Sequence, residues 1–132
     1  MPQDDVFAPS WAPRMLSVLR IMAALLFLAH GTQKLFGFPA PQYMPAAFTM
    51  GWFAAVIELV GGVLLTMGLF TRIVAFICAG EMAFAYFIAH FPKSFFPAVN
   101  GGDAAVLFCF IFLYLFVAGG GAWSVDAARN RV

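Results

Sequence analysis

Apolar residues in this chain come in long blocks rather than in alternation. Four blocks, residues 17–36, 53–70, 73–90 and 104–121, are rich in Leu, Ile, Phe and Ala. A helix needs about 17–25 mostly apolar residues to cross a bilayer. None of the blocks shows the period-two pattern of a barrel strand. Turn-formers separate them. Gly37-Phe38-Pro39-Ala40-Pro41 and Pro45 follow the first block, and Gly68 with Thr71-Arg72 divides the second from the third. Phe91-Pro92, Pro97 and Asn100-Gly101-Gly102 precede the fourth. Such short connections favour antiparallel neighbours. The pattern predicts an all-α polytopic membrane protein, one domain over residues 1–132, folded as an antiparallel four-transmembrane-helix bundle.

Composition narrows the class further. The 132 residues are 64% hydrophobic and 10% charged, against about half and a quarter in an ordinary soluble domain. Too few polar side chains exist to cover a water-exposed surface. With a net charge of +1 and no basic run, a nucleic-acid partner is excluded along with a soluble enzyme and a disordered linker. The partner that the composition calls for is the lipid bilayer. Asp4 and Asp5 stand where a signal peptide would carry basic residues, so the first block is expected to remain as an anchor. With four spans, Arg14, Arg20, Arg72, Arg129 and Arg131 fall on one side and Lys34 and Lys93 on the other. Positive residues favour the cytoplasm, which places both termini there, with the inner arginines snorkelling to the interface. Trp11 and Trp123 would anchor the inner surface and Trp52 the outer.

The few remaining charges then gather in the outer half. His30 and Lys34 lie four apart on one face of the first helix. Glu58 and Glu81 sit within the second and third spans, where a carboxylate costs about 2.5–3.5 kcal/mol on insertion scales. These four residues are the proposed proton and ligand pocket, with Lys34 able to pair with either acid. The competing reading is a structural ion pair that sets helix register. His90, Asn100 and Asp103 are weaker candidates for holding a cofactor, since Asp103 is also explained as a helix cap, as is Thr71. Tyr86 either lines the pocket or sits at the interface. Gly61-Gly62 reads as a site of close helix packing. Cys78 and Cys109 lie at different depths and no C-x-x-C is present, which argues against a thiol–disulfide relay within the chain. No metal site is expected, and there is no intrinsic flavin, haem or iron–sulfur motif.

Several blocks resemble the DoxX family of small bacterial membrane proteins. They are Leu19-Arg20-Ile21 with His30-Gly31-Thr32-Gln33-Lys34-Leu35-Phe36-Gly37, then Glu58-Leu59-Val60-Gly61-Gly62 with Gly68-Leu69-Phe70-Thr71-Arg72. Glu81-Met82, His90, and Phe95-Phe96-Pro97 to Asn100-Gly101-Gly102 look like a third block, and Gly119 to Asp126 like the family's ending. Asp103 departs from the pattern, standing where Glu is expected, so its reach is shorter. The resemblance implies a four-helix protein of the bacterial inner membrane. It also implies a role in a membrane redox system, such as the small subunit of a thiosulfate:quinone oxidoreductase or a complex handling thiol or oxidative stress. Quinone is the implied cofactor, and a soluble or membrane redox partner subunit would supply the electrons. In that role Glu58 and Glu81 would deliver protons, His30 would hydrogen-bond a carbonyl and Lys34 would balance charge. Two alternatives remain: a transporter or binding protein for a small anion or thiol compound, with homo-oligomers supplying further helices, and a non-catalytic assembly subunit.

Overall fold

A computed structural model describes residues 8–41 and 43–130; Asp4, Asp5 and Arg131, used in the topology reading, lie outside the described residues. Within them the chain is helical and has no strand. In order come α1 (Ala8–Phe36), α2 (Met50–Met67), α3 (Thr71–Ala85), α4 (Pro97–Asn100), α5 (Asp103–Ala118) and α6 (Val125–Arg129). A π-helical turn, Tyr86–His90, and a 3-10 turn, Phe91–Lys93, prolong α3. Three stretches, Ser10–Phe36, Met50–Met67 and Thr71–Lys93, are long and apolar enough to cross a membrane, while α5 has 16 residues.

Element boundaries differ from the sequence expectation where backbone chemistry intervenes. The first helix begins at Ala8 rather than residue 17 and runs through Pro13. The fourth apolar block stops at Ala118 instead of running to residue 121. Gly119 and Gly121 have φ of 86° and 85°, and the chain leaves the helix to pass beside α1. Gly68, at φ 72°, ends α2 in the left-handed conformation typical of a helix C-terminus.

In packing, α1 lies against α2 along its length and α3 against α5, with α2–α3 and α1–α5 forming the lesser seams. Small residues make these approaches close: Ala23, Ala24, Ala75, Ala79 and Ala105 are buried, as lipid-embedded helix contacts favour. Between them sit Phe27, Phe108 and Phe112, with Phe27 edge-on to Phe112 at 4.9 Å between ring centres. The large apolar side chains left exposed, such as Ile73, Leu107 and Phe110, cover the outside of a protein that lives in lipid. Cys78 is buried and Cys109 partly so, and both are free thiols.

The start of α1, the α2–α3 turn and α6 meet at one end, the terminal end. The Ala122 amide donates to the Pro13 carbonyl at 2.9 Å, and the Asp126 amide to that of Gly68 at 3.0 Å. Thr71, expected as an N-cap, is instead the first residue of α3. The cap comes from elsewhere in the chain: the Asp126 carboxylate accepts from the Phe70 and Thr71 amides, each at 2.9 Å. Burial alone would raise the Asp126 pKa, but donation from the Thr71 and Phe70 amides and the nearby Arg129 charge outweigh it and hold the group below its ordinary value. Its stabilisation is therefore complete above about pH 4, the unfolded value, and is lost as pH falls through the lower folded value. Asp126→Asn is expected to cost about 1 kcal/mol at pH 7, the worth of a helix cap. Thermal unfolding in detergent at pH 7 and in acid checks this, since the gap from wild type should narrow on acidification.

Arg20 corrects a second expectation. It does not snorkel to an interface but is 1% exposed. Its Nε donates to the Leu65 carbonyl at 2.8 Å and Nη2 to that of Trp123 at 2.9 Å, with a longer contact to Thr66. Nη1 donates to the Gly120 carbonyl, which also accepts from Ser17 Oγ at 2.9 Å. One guanidinium thus ties α1 to the end of α2 and to the segment after α5.

Candidate functional site

At the opposite end, α1 and α2 approach so closely that side chains are excluded. A Cβ on Gly31 would lie 2.7 Å from the Leu59 amide nitrogen, and one on Gly62 would lie 2.8 Å from the Leu28 Cα. This contact sets the register that brings Lys34 onto Glu58. Lys34 Nζ donates to Glu58 Oε2 at 3.0 Å, with the glutamate 1% and the lysine 27% exposed. The sequence left either acid as partner for Lys34, and the glycine contact decides for Glu58.

Glu81, on α3, completes the charged cluster. Its carboxyl lies within electrostatic reach of both Glu58 and Lys34. Glu58 Oε1 and Glu81 Oε1 are both buried and lack a conventional hydrogen-bond partner. Two carboxyls therefore face one ammonium in a low-dielectric setting.

The cluster opens into a groove between α2 and α3. A Cβ on Gly61 would fall 2.6 Å from Cys78 Sγ, so the two helices touch there. Toward the loop end they part around a cavity of about 550 Å³. Phe53, Ile57, Ile77 and Phe84 form its apolar walls, and Lys34, Glu81 and Tyr43 supply the polar groups. Tyr43 comes from the α1–α2 loop and lies over the first turn of α2, where its hydroxyl would be 2.8 Å from a Cβ on Gly51. The π-helical turn contributes Ile88 and Ala89 to the same cavity. Such turns recur at functional sites because they re-aim side chains. A second, apolar cleft of about 280 Å³ shares Ile57 and Ile77 with the first and runs along the seam past Val60, Leu64 and Val74.

The other sequence candidates lie outside this groove. His30 is exposed; its Nδ1 bonds the Leu26 carbonyl at 2.8 Å and its ring stands edge-on to Phe108. His90 Nδ1 meets the Asn100 carbonyl at 3.1 Å. Asn100 is buried as the keystone of the loop before α5: its amide donates to Tyr86 Oη at 3.0 Å and the Ser94 carbonyl at 2.9 Å, while its Oδ1 accepts from the Gly102 amide. Asp103 is exposed and opens α5, with Gly102 in the cap position, so the capping expected of Asp103 does not occur. Among the described residues no three His, Cys, Asp or Glu side chains cluster as metal donors.

Tyr43 and Gly80, another wall residue, were not singled out by sequence reasoning. Gly80 did carry a signal, since a glycine there interrupts a run of apolar side chains next to an intramembrane acid. Tyr43 carried none, because a loop tyrosine can face any direction.

The DoxX family model matches residues 15–91, from α1 to the 3-10 turn. An uncharacterized protein of Haemophilus influenzae is 43% identical over 122 residues, covering 88% of this chain and 91% of its own length. No solved structure matches the chain.

Proposed function

Because the chain belongs to the DoxX family of membrane proteins, we propose that it is the membrane subunit of a quinone-linked redox system, with the α2–α3 groove as quinone site. The observation that carries this reading is the groove itself. Its polar head holds Lys34, Glu81 and Tyr43, and its walls continue into an apolar cleft. A quinone has the same division, with two ring carbonyls at one end and an apolar tail at the other. Lys34 and the Tyr43 hydroxyl are donors for a carbonyl oxygen.

Reduction of a quinone to a quinol takes two electrons and two protons. The electrons come from oxidation of a thiol or reduced sulfur compound in a partner subunit, since this chain has no electron-carrying motif. The protons pass through the acids. Glu81, on the groove wall beside the Lys34–Glu58 pair, would supply the two protons in turn, one to each carbonyl oxygen, regaining a proton from the loop end after each transfer. His30, outside the groove, has no part in this step.

We further propose four crossings within one domain, α5 being the fourth, in a bacterial inner membrane with both termini cytoplasmic. Sixteen residues of α5 span about 24 Å, and the meeting of α1, the α2–α3 turn and α6 at one end fits an even number of crossings. Arg14, Arg72 and Arg129 gather at that end.

Glu81→Gln tests the chemistry. It keeps the shape and spares the Lys34–Glu58 pair, so the native membrane complex should assemble in normal yield. Quinone reduction per complex should fall about 100-fold or more, the usual worth of a positioned proton donor. Unchanged turnover per assembled complex would instead favour the assembly-subunit reading, for which the Lys34–Glu58 pair is a sufficient structural reason.

A further inference from the structure

The helical glycines of this chain have packing reasons, with one exception. Gly31, Gly61 and Gly62 sit where helices touch, and Gly51 sits beneath the Tyr43 hydroxyl. Gly80 lies in the middle of α3, yet a Cβ there would meet no atom within 4 Å. It is exposed and does not adopt a positive φ. A glycine inside a helix costs about 1 kcal/mol relative to alanine. Nothing in the packing of the chain on itself repays that cost. What Gly80 does border is the groove, directly beside Glu81, with Ile77 one turn before it and Phe84 one turn after it on the same wall. A side chain at position 80 would extend into open space in the cavity that Glu81 also lines.

We infer that Gly80 is the aperture of the groove: its missing side chain admits a flat, ring-headed ligand from the lipid phase, sideways between α2 and α3, to Lys34 and Glu81. This rests on the quinone reading of the groove and adds the route of entry and the residue that sets the width of the accepted head. Lateral entry follows from the surroundings. Phe53, Ile77, Phe84 and Ile88 at the rim are all about half exposed, on helices whose outer surfaces meet lipid, so the opening faces the bilayer rather than water. The apolar cleft past Val60 and Leu64 gives a tail attached to the ring a place along the same seam. A ligand of this division is amphiphilic, and a branched side chain at position 80 would occupy room that its ring uses.

Because position 80 is free of neighbours, the test is not confounded by misfolding. Gly80→Ala and Gly80→Leu should fold at least as stably as wild type in detergent, since both replace glycine with better helix formers. Leu107→Phe, on the exposed face of α5 away from the groove, is the control for a bulkier lipid-facing residue. Decylubiquinone binding to each purified protein is measured by equilibrium titration. The expected result is a graded loss: a few-fold weaker binding for Gly80→Ala, about 100-fold or more for Gly80→Leu, and no change for Leu107→Phe. Wild-type binding that Gly80→Leu leaves intact would overturn the aperture while leaving the quinone reading in place. Equal weakening by Leu107→Phe would also overturn it. Absence of binding to the wild type would overturn the quinone reading and the aperture with it.

Discussion

Lys34→Met is expected to destabilise the protein by about 3–5 kcal/mol, the range for removing one partner of a buried ion pair. The asymmetry of the pair gives the reason. Glu58 is 1% exposed, so losing the ammonium strands a carboxylate in the helix contact. Glu58→Gln should cost less, because Lys34 is 27% exposed on a long stem and can turn its charge to the loop end. The double variant Lys34→Met/Glu58→Gln should regain most of the loss, since an uncharged amide needs no counterion. Unfolding midpoints of the four proteins in one detergent form a double-mutant cycle. A Lys34→Met cost within about 0.5 kcal/mol of wild type would show that the pair is not buried in the folded protein.

Arg20→Leu is the second large effect. The side chain it removes donates to the Leu65, Gly120 and Trp123 carbonyls; Leu65 would keep the Gly68 amide and Gly120 the Ser17 hydroxyl, whereas Trp123 loses its donor. Hydrogen bonds to a charged group are worth about 1.5–3 kcal/mol each, and three are lost at once, so a loss of at least about 3 kcal/mol is expected. Arg20→Lys should recover only part of it, because a single ammonium cannot reach carbonyls on two sides as the planar fork does. Folded yield and unfolding midpoint measure the effect. Proteolysis should also rise first in the segment around Gly119–Ser124, which the arginine holds against α1. A midpoint unchanged in Arg20→Leu would contradict the clamp.

Membrane residence and the apolar helices were legible because both rest on composition and block length, which survive any detail of packing. So was the gathering of Lys34, Glu58 and Glu81, since depth along a helix follows from a rise of about 1.5 Å per residue. What depth does not encode is rotation about the helix axis. His30 lies one turn from Lys34 and was expected beside it, yet it turns to the Leu26 carbonyl and the Phe108 edge. The choice between Glu58 and Glu81 for Lys34 depended on the Gly31–Gly62 approach, a contact between two helices that no single segment reveals. Arg20 was misjudged for a related reason: its acceptors come from residues 65, 120 and 123, and only the folded chain assembles them. The groove combines both cases. Its acid was visible as a buried charge, whereas the parting of α2 from α3 above Gly61 follows from tertiary packing.

The most direct measurement is photo-crosslinking of the wild-type protein, in bilayer vesicles, with an azido-quinone, followed by mapping of the labelled peptides. A quinone held in the α2–α3 groove should label residues 50–57 and 77–89, and excess decylubiquinone should abolish that label. Labelling confined to α5 or to the outer face of α1, or labelling that no excess of quinone displaces, would contradict a quinone site built on Lys34, Tyr43 and Glu81.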